Sequence, residues 1–163
     1  RQMCIRDRAS PGNLQEVEDL LFLQSDVVSS PIVMALRVKM EDGISVIGAA
    51  FADATNRHIG VAEYTENDLF SNSESLIIQL GVKECLVPAD DADYHLSKLR
   101  ALMERCGCVI TQVKRGTFTS KSIEEDMQRL LPVSQRAALA PECSKKVAMS
   151  SAAALLSLSL IHI

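Results

Sequence analysis

Residues 32–65 read IVMALRVKMEDGISVIGAAFADATNRHIGVAEYT: three strand-length apolar runs separated by two turns. Ile32–Met40 is apolar, with Arg37 and Lys39 alternating toward its end. Glu41-Asp42-Gly43 is a hairpin turn, because an Asp-Gly pair tolerates the positive φ that tight hairpins need. Ser45–Ala54 is a second run of small apolar residues, and Asn56-Arg57 turns the chain again. His58–Thr65 is the third run, alternating Ile59, Val61 and Tyr64 with smaller residues. Three consecutive strands joined this tightly predict an antiparallel meander.

Downstream of it the apolar period lengthens. Ser71 followed by Glu74 predicts a capping box, Leu76, Ile77 and Leu80 share a helical face, and Gly81 ends it. Cys85-Leu86-Val87 is a short buried strand closed by Pro88. Asp90 or Asp91 caps a second helix, with Leu96, Leu99, Met103 and Cys106 on one stripe. Cys108–Val113 is a fifth strand. A third helix starts at Thr119 or Ser120, with Ile123, Met127, Leu130 and Leu131 facing inward. Strands joined through helices run parallel, by right-handed crossovers. The order β-β-β-α-β-α-β-α therefore predicts an α/β domain with one mixed five-stranded sheet and flanking helices, the order of the ribonuclease H-like fold.

This domain occupies 32–132. Before it, 9–31 reads as a linker with one short amphipathic helix over Leu14–Leu23, whose acids are Glu16, Glu18 and Asp19. After it, 133–146 reads as a second linker. Residues 147–157 read as the start of a further helix, one that nothing in this stretch covers and that therefore belongs with a missing neighbour. The extremities, RQMCIRDR (1–8) and LSLIHI (158–163), resemble translated sequencing-adapter read-through and are set apart from the fold.

Composition narrows the function. The 163 residues carry 17 Lys and Arg against 21 Asp and Glu, a net charge of −4. A free-standing nucleic-acid binder would need a strong basic field. Aromatics are only 4%, without Trp, so the core is built from Leu, Ile, Val, Ala and Met. Five cysteines, an odd number, point to a reducing compartment. The longest uncharged stretch, Val147–Ile163, is short for a bilayer.

The text FSNSESLIIQLGVKECLVP (Phe70–Pro88) strongly resembles the connector domain (domain II) of the MutS family of DNA mismatch repair proteins, in its eukaryotic MutS homologue 2 branch. Ala9–Leu14, Val46–Asp53, Phe118–Ile123 with Leu130-Leu131, Pro141-Glu142 and Val147–Ser151 are similar to further parts of it, so the likeness spans residues 9–156. The resemblance implies a non-catalytic connector between mismatch-binding and lever/ATPase parts, in a nuclear protein that binds mismatched DNA. The implied partners are a second MutS homologue subunit (a heterodimer), MutL homologues and an exonuclease. It implies ATP and magnesium for the absent ATPase part alone, because this sequence has no G-x-x-x-x-G-K-[ST] loop. No cofactor and no membrane partner are expected for this stretch.

The chemistry-bearing residues support the same reading. A ribonuclease H-like metal-dependent nuclease or phosphotransferase is the alternative. It needs carboxylates converging on two ions about 4 Å apart. The first strand has no acid, which leaves Asp53, Glu63 and Glu84, whose plainer reading is solvated strand ends. Cys85, Cys106 and Cys108 have one close pair at C-x-C spacing where structural zinc usually has two looser pairs, so they read as buried thiols. His58, His95 and His162 have no triad context. Charge is more telling. Glu63–Asp93 sums to −7 and Lys98–Lys121 to +5. These are either two solvated faces or docking patches, and Lys114 and Arg115, with Lys121, are the candidates for contact with a partner or a DNA backbone.

Overall fold

The computed structural model describes residues 31–89 and 94–161, with side chains described through residue 158. The helix expected over Leu14–Leu23, the caps expected at Asp90 or Asp91, and His162 lie outside the described residues. The elements run β1 (Ile32–Glu41), β2 (Ile44–Asp53), β3 (His58–Glu66), α1 (Ser71–Leu80), β4 (Val82–Pro88), α2 (Tyr94–Arg105), β5 (Val109–Val113), a 3-10 turn (Arg115–Thr117), α3 (Ile123–Leu130), α4 (Val133–Arg136), α5 (Leu139–Cys143) and α6 (Lys146–Ile161). The sheet order is β3-β2-β1-β4-β5. Its meander half is antiparallel, with Arg37 opposite Gly48 and Gly48 opposite Glu63. The crossover half is parallel, with Ala35 opposite Leu86 and Leu86 opposite Thr111. This is the mixed five-stranded sheet that the sequence predicts. Its first hairpin turns at Asp42 (φ 50) and Gly43 (φ 79), both left-handed as a tight turn with Asp-Gly requires.

β1 lies in the middle and alternates between two cores. Met34 and Leu36 point to a layer that also contains Ile47, Phe51, Ile77, Leu99 and Met103, under α1 and α2. Ala35, with Ala50 and Leu86, points to the opposite layer, under Phe118, Ile123, Met127, Met149, Leu155 and Leu156. Both faces are closed, as parallel pairing through a central strand demands.

Three local expectations are corrected. The Ser71–Glu74 capping box does not form. Ser71 is already helical and Phe70 precedes it at φ 55 with no side-chain cap of its own. The Glu66 carboxylate instead accepts from the amides of Asn72 (3.0 Å) and Ser73 (3.2 Å). A full negative charge satisfies the positive helix end better than a hydroxyl. Leu130 is 54% exposed rather than inward, because α3 starts later than expected and ends at Leu130. The tail over 133–146 is not plain loop: it forms α4 and α5, and Leu139 inserts into the second core. Pro141 fits inside α5 because it falls in the first turn, where its missing N–H has no partner to lose.

The largest correction concerns α6. Far from lacking a cover, it lies on β2 and β1, and Ala148, Met149, Ala152 and Leu155 are buried. Small residues make this fit. A Cβ at Gly48 would collide with the backbone of Val147 and Ala148, so glycine alone lets the helix approach this closely. The Ser151 hydroxyl donates to the Gly48 carbonyl (2.7 Å) and that of Ser150 to the Val147 carbonyl (2.6 Å), so neither buried hydroxyl is wasted.

Candidate interaction face

The corner where β5 leaves the sheet gathers the basic residues singled out from the sequence. Lys114 precedes the 3-10 turn, whose bonds run from the Thr117 amide to the Lys114 carbonyl (2.9 Å) and from the Phe118 amide to the Arg115 carbonyl (3.1 Å). Phe118 is then buried in the second core, which anchors the turn. Lys114, Arg115 and Lys121 are all exposed. The fold adds a fourth cation that spacing did not reveal. Arg37, half-buried on β1, donates from Nη1 to the Phe118 carbonyl at 3.3 Å. Burial, and after it the nearby positive charge of Arg115, lowers the pKa of Arg37. The sequence signal for Arg37 was a charge on an inward-alternating position of the central strand.

Beside this corner a groove of about 460 Å³ runs between α3 and α6. Ile123, Leu130, Ala153 and Leu156 give it apolar walls, and Asp126 and Arg129 line it too. The six bases of Lys98–Lys121 do not make one face. Lys98, Arg100 and Arg105 ride on α2, which covers the first core, whereas Lys114, Arg115 and Lys121 flank elements that cover the second. Arg100 donates to the Pro88 carbonyl (3.2 Å) and Lys98 lies over the Tyr94 ring (4.8 Å). The acidic tract is likewise divided among structural tasks.

Those tasks keep the three candidate carboxylates apart. Asp53 is buried and accepts from the Asn56 amide (3.1 Å) and side chain (2.8 Å), holding the β2–β3 turn. Glu63 Oε2 accepts from the amides of Val147 (2.9 Å) and Ala148 (3.0 Å) and so caps α6. Glu84 accepts from the Thr111 hydroxyl (2.7 Å) across β4 and β5. Glu63 and Glu84 stand three strand spacings apart in the sheet, about 14 Å at the backbone. Among the described residues, no three His, Cys, Asp or Glu side chains are grouped to hold a metal ion. Cys85 and Cys108 are buried, and the Cys108 thiol donates to the Val82 carbonyl (3.3 Å). Burial first, and then neighbouring Cys108, pushes the Cys85 thiol up, away from the thiolate that metals and electrophiles require. Cys106 is shifted the same way, by burial first. His58 stacks near Phe51 (5.6 Å) at the far end of the β2–β3 hairpin.

The model of MutS domain II matches residues 31–158. The chain belongs to the MutS family. This match takes in α6 together with the sheet it covers. Among MutS relatives, the chain is 43% identical over 161 residues to the DNA mismatch repair protein msh-2 of Neurospora crassa, covering 95% of this chain and 17% of that protein. It is 40% identical over 129 residues to MSH2 of Saccharomyces cerevisiae, covering 76% of this chain and 13% of that protein. It is 37% identical over 123 residues to MSH2 of Arabidopsis thaliana, covering 75% and 13%. This MutS chain thus spans under a fifth of the length of those relatives. Its fold resembles that of the fowlpox virus Holliday junction resolvase, with a TM-score of 0.52 and 10% identity over 81% of this chain and 99% of that one. At that identity the likeness is one of architecture, ribonuclease H-like, as the element order predicts.

Proposed function

We propose that this chain is the connector block of a nuclear DNA mismatch repair protein, performing no chemistry of its own. It joins a mismatch-binding part to lever and ATPase parts, and docks partners on its basic corner. The observation that carries this reading is the committed state of its acids. Asp53, Glu63 and Glu84 each hold a piece of the fold together instead of converging on a reaction centre. A sheet closed on both faces, with its last helix capped and packed, suits a block that passes on movement without deforming. The partners in this proposal are a second MutS homologue subunit, MutL homologues and an exonuclease. DNA, ATP and magnesium are engaged elsewhere in the full-length protein.

Lys114→Glu with Arg115→Glu in the full-length protein tests the docking role. Both side chains are exposed, so thermal stability should hold. Partner association should weaken roughly tenfold at low salt, the difference shrinking as salt rises. Unchanged association at low salt removes the basic corner from the account. Divalent-metal-dependent cleavage of DNA or RNA by this chain, abolished by Asp53→Asn, would replace the reading with a nuclease.

A further inference from the structure

We infer that the basic corner and the groove beside it form one composite site for a peptide segment of a partner protein. A carboxylate of that segment sits on Arg37, and its apolar side chains enter the groove between α3 and α6. The inference rests on the docking role proposed above and gives the docked surface a chemistry. It starts from a charge that the fold leaves unanswered. On one face of β1 the side chains pass from buried Ala35 to half-buried Arg37 to exposed Lys39. Lys39 is paired with Glu41 at 2.7 Å. Arg37 donates to the Phe118 carbonyl at 3.3 Å, and among the described residues no carboxylate pairs with it. Its charge is instead disfavoured, first by burial and then by the nearby positive charge of Arg115. A half-buried guanidinium costs free energy unless an anion answers it, and its planar fork suits a carboxylate. One neutral carbonyl does not supply that anion.

The carbonyl that Arg37 holds joins this charge to the groove. Phe118 lies between Thr117 and Thr119, and both threonines line the groove. From there the walls turn apolar: Ile123 and Leu156 are buried, and Leu130 is left 54% exposed. A cleft of about 460 Å³ is of the size that seats a small ligand. Charge selects the occupant. Nucleic acid would carry a row of phosphates past Glu124, Glu125 and Asp126, the acids of the first turn of α3, and would leave the apolar walls unused. A peptide needs only one anionic residue at Arg37, followed by apolar side chains. The groove itself asks for no further charge, because its lining residues Asp126 and Arg129 lie 4.0 Å apart and offset each other.

Peptide selection on the intact 163-residue chain decides the matter. Short random displayed peptides are panned on it, and the enriched sequences are resynthesised with a fluorescent label. They should carry Asp or Glu followed, within a few residues, by Leu, Ile, Met or Phe. Arg37→Gln should weaken their binding roughly tenfold. Arg37→Lys should fall in between, because the charge survives without the fork. Leu130→Glu, at an exposed position, should weaken binding as much as Arg37→Gln. Arg37→Gln should keep or raise the melting temperature, since it removes a half-buried charge. A lowered melting temperature with peptide binding intact makes Arg37 a clamp on the Phe118 carbonyl and overturns the inference. If Arg37→Gln lowers both, Leu130→Glu decides alone. A selection that enriches no acidic sequence overturns the inference, as does binding indifferent to both Arg37→Gln and Leu130→Glu. Arg37-dependent binding of a short DNA duplex, with no acidic peptide enriched, replaces the peptide with a phosphate backbone. In the full-length protein, partner association lost on Lys114→Glu with Arg115→Glu, but kept on Arg37→Gln and Leu130→Glu, preserves the docking role and sinks only the composite site. Association unchanged by any of these substitutions removes both.

Discussion

The two faces of the sheet solve the same packing problem with opposite means. On the α1/α2 face, long side chains interdigitate: Met34, Leu36 and Ile47 against Ile77, Leu99 and Met103. On the α6 face the strands contribute Ala35, Gly48 and Ala50, and the backbone of the helix comes down almost onto the sheet. The first face depends on filling volume. The second depends on keeping volume out, and on polar latches, the Glu63 cap and the Ser151 bond to Gly48. A sheet with one filled face and one cleared face accepts two very different helices, an ordinary amphipathic one and one rich in Ala and Ser. The same β1 supplies both, by alternation.

This contrast yields ordered expectations. Leu99→Ala opens a cavity in the filled face and should cost about 3 kcal/mol by denaturant unfolding, with α6 exchange protection falling only in step with the whole domain. A cost under about 1 kcal/mol would mean that this face is loosely packed. Gly48→Ala does the reverse, adding volume to the cleared face. About 2 kcal/mol should be lost, and the loss should appear first as faster exchange in α6 while the α1/α2 side stays protected. A silent Gly48→Ala would show that the helix can ride higher on the sheet, and the distinction between the faces would fall.

Glu63→Ala removes the cap of α6 and should cost about 1 kcal/mol, with Glu63→Gln milder because an acceptor oxygen survives. Equal losses for the two would mean that charge, not hydrogen bonding, holds the helix end. The smallest effect is a pH effect at the β2–β3 hairpin, far from both helices. Burial chiefly lowers the pKa of His58 below its ordinary 6.5, with Asp53 opposing. The folded state then binds fewer protons than the unfolded chain. The contribution is complete above about pH 6.5 and is lost as the pH falls from there through the depressed folded value. Thermal melts from pH 7.5 to 5 should show a shallow decline that His58→Gln flattens.

The order of strands and helices is legible in the sequence because alternation and helical period are local properties of the chain. The basic residues Lys114, Arg115 and Lys121 were legible as charges. Their companion Arg37 was not, since it comes from a strand 77 positions earlier than Lys114 and joins them in the fold, where it donates to the Phe118 carbonyl. The acids were misread for a related reason. A carboxylate that caps a helix next to it in sequence, as Glu66 does, leaves a faint local signal, but Glu63 caps a helix 84 residues away.

Periodicity, turn chemistry and the family text in Phe70–Pro88 determined, from sequence alone, a meander followed by crossover units in a MutS domain II. Only the tertiary structure decided that α6 belongs to this block, that Glu63 is its cap and that the basic corner adjoins a groove. The physical reason is the glycine and alanine surface of β1 and β2. Small side chains carry little pattern along a chain, and their meaning appears only when another backbone fills the space they leave.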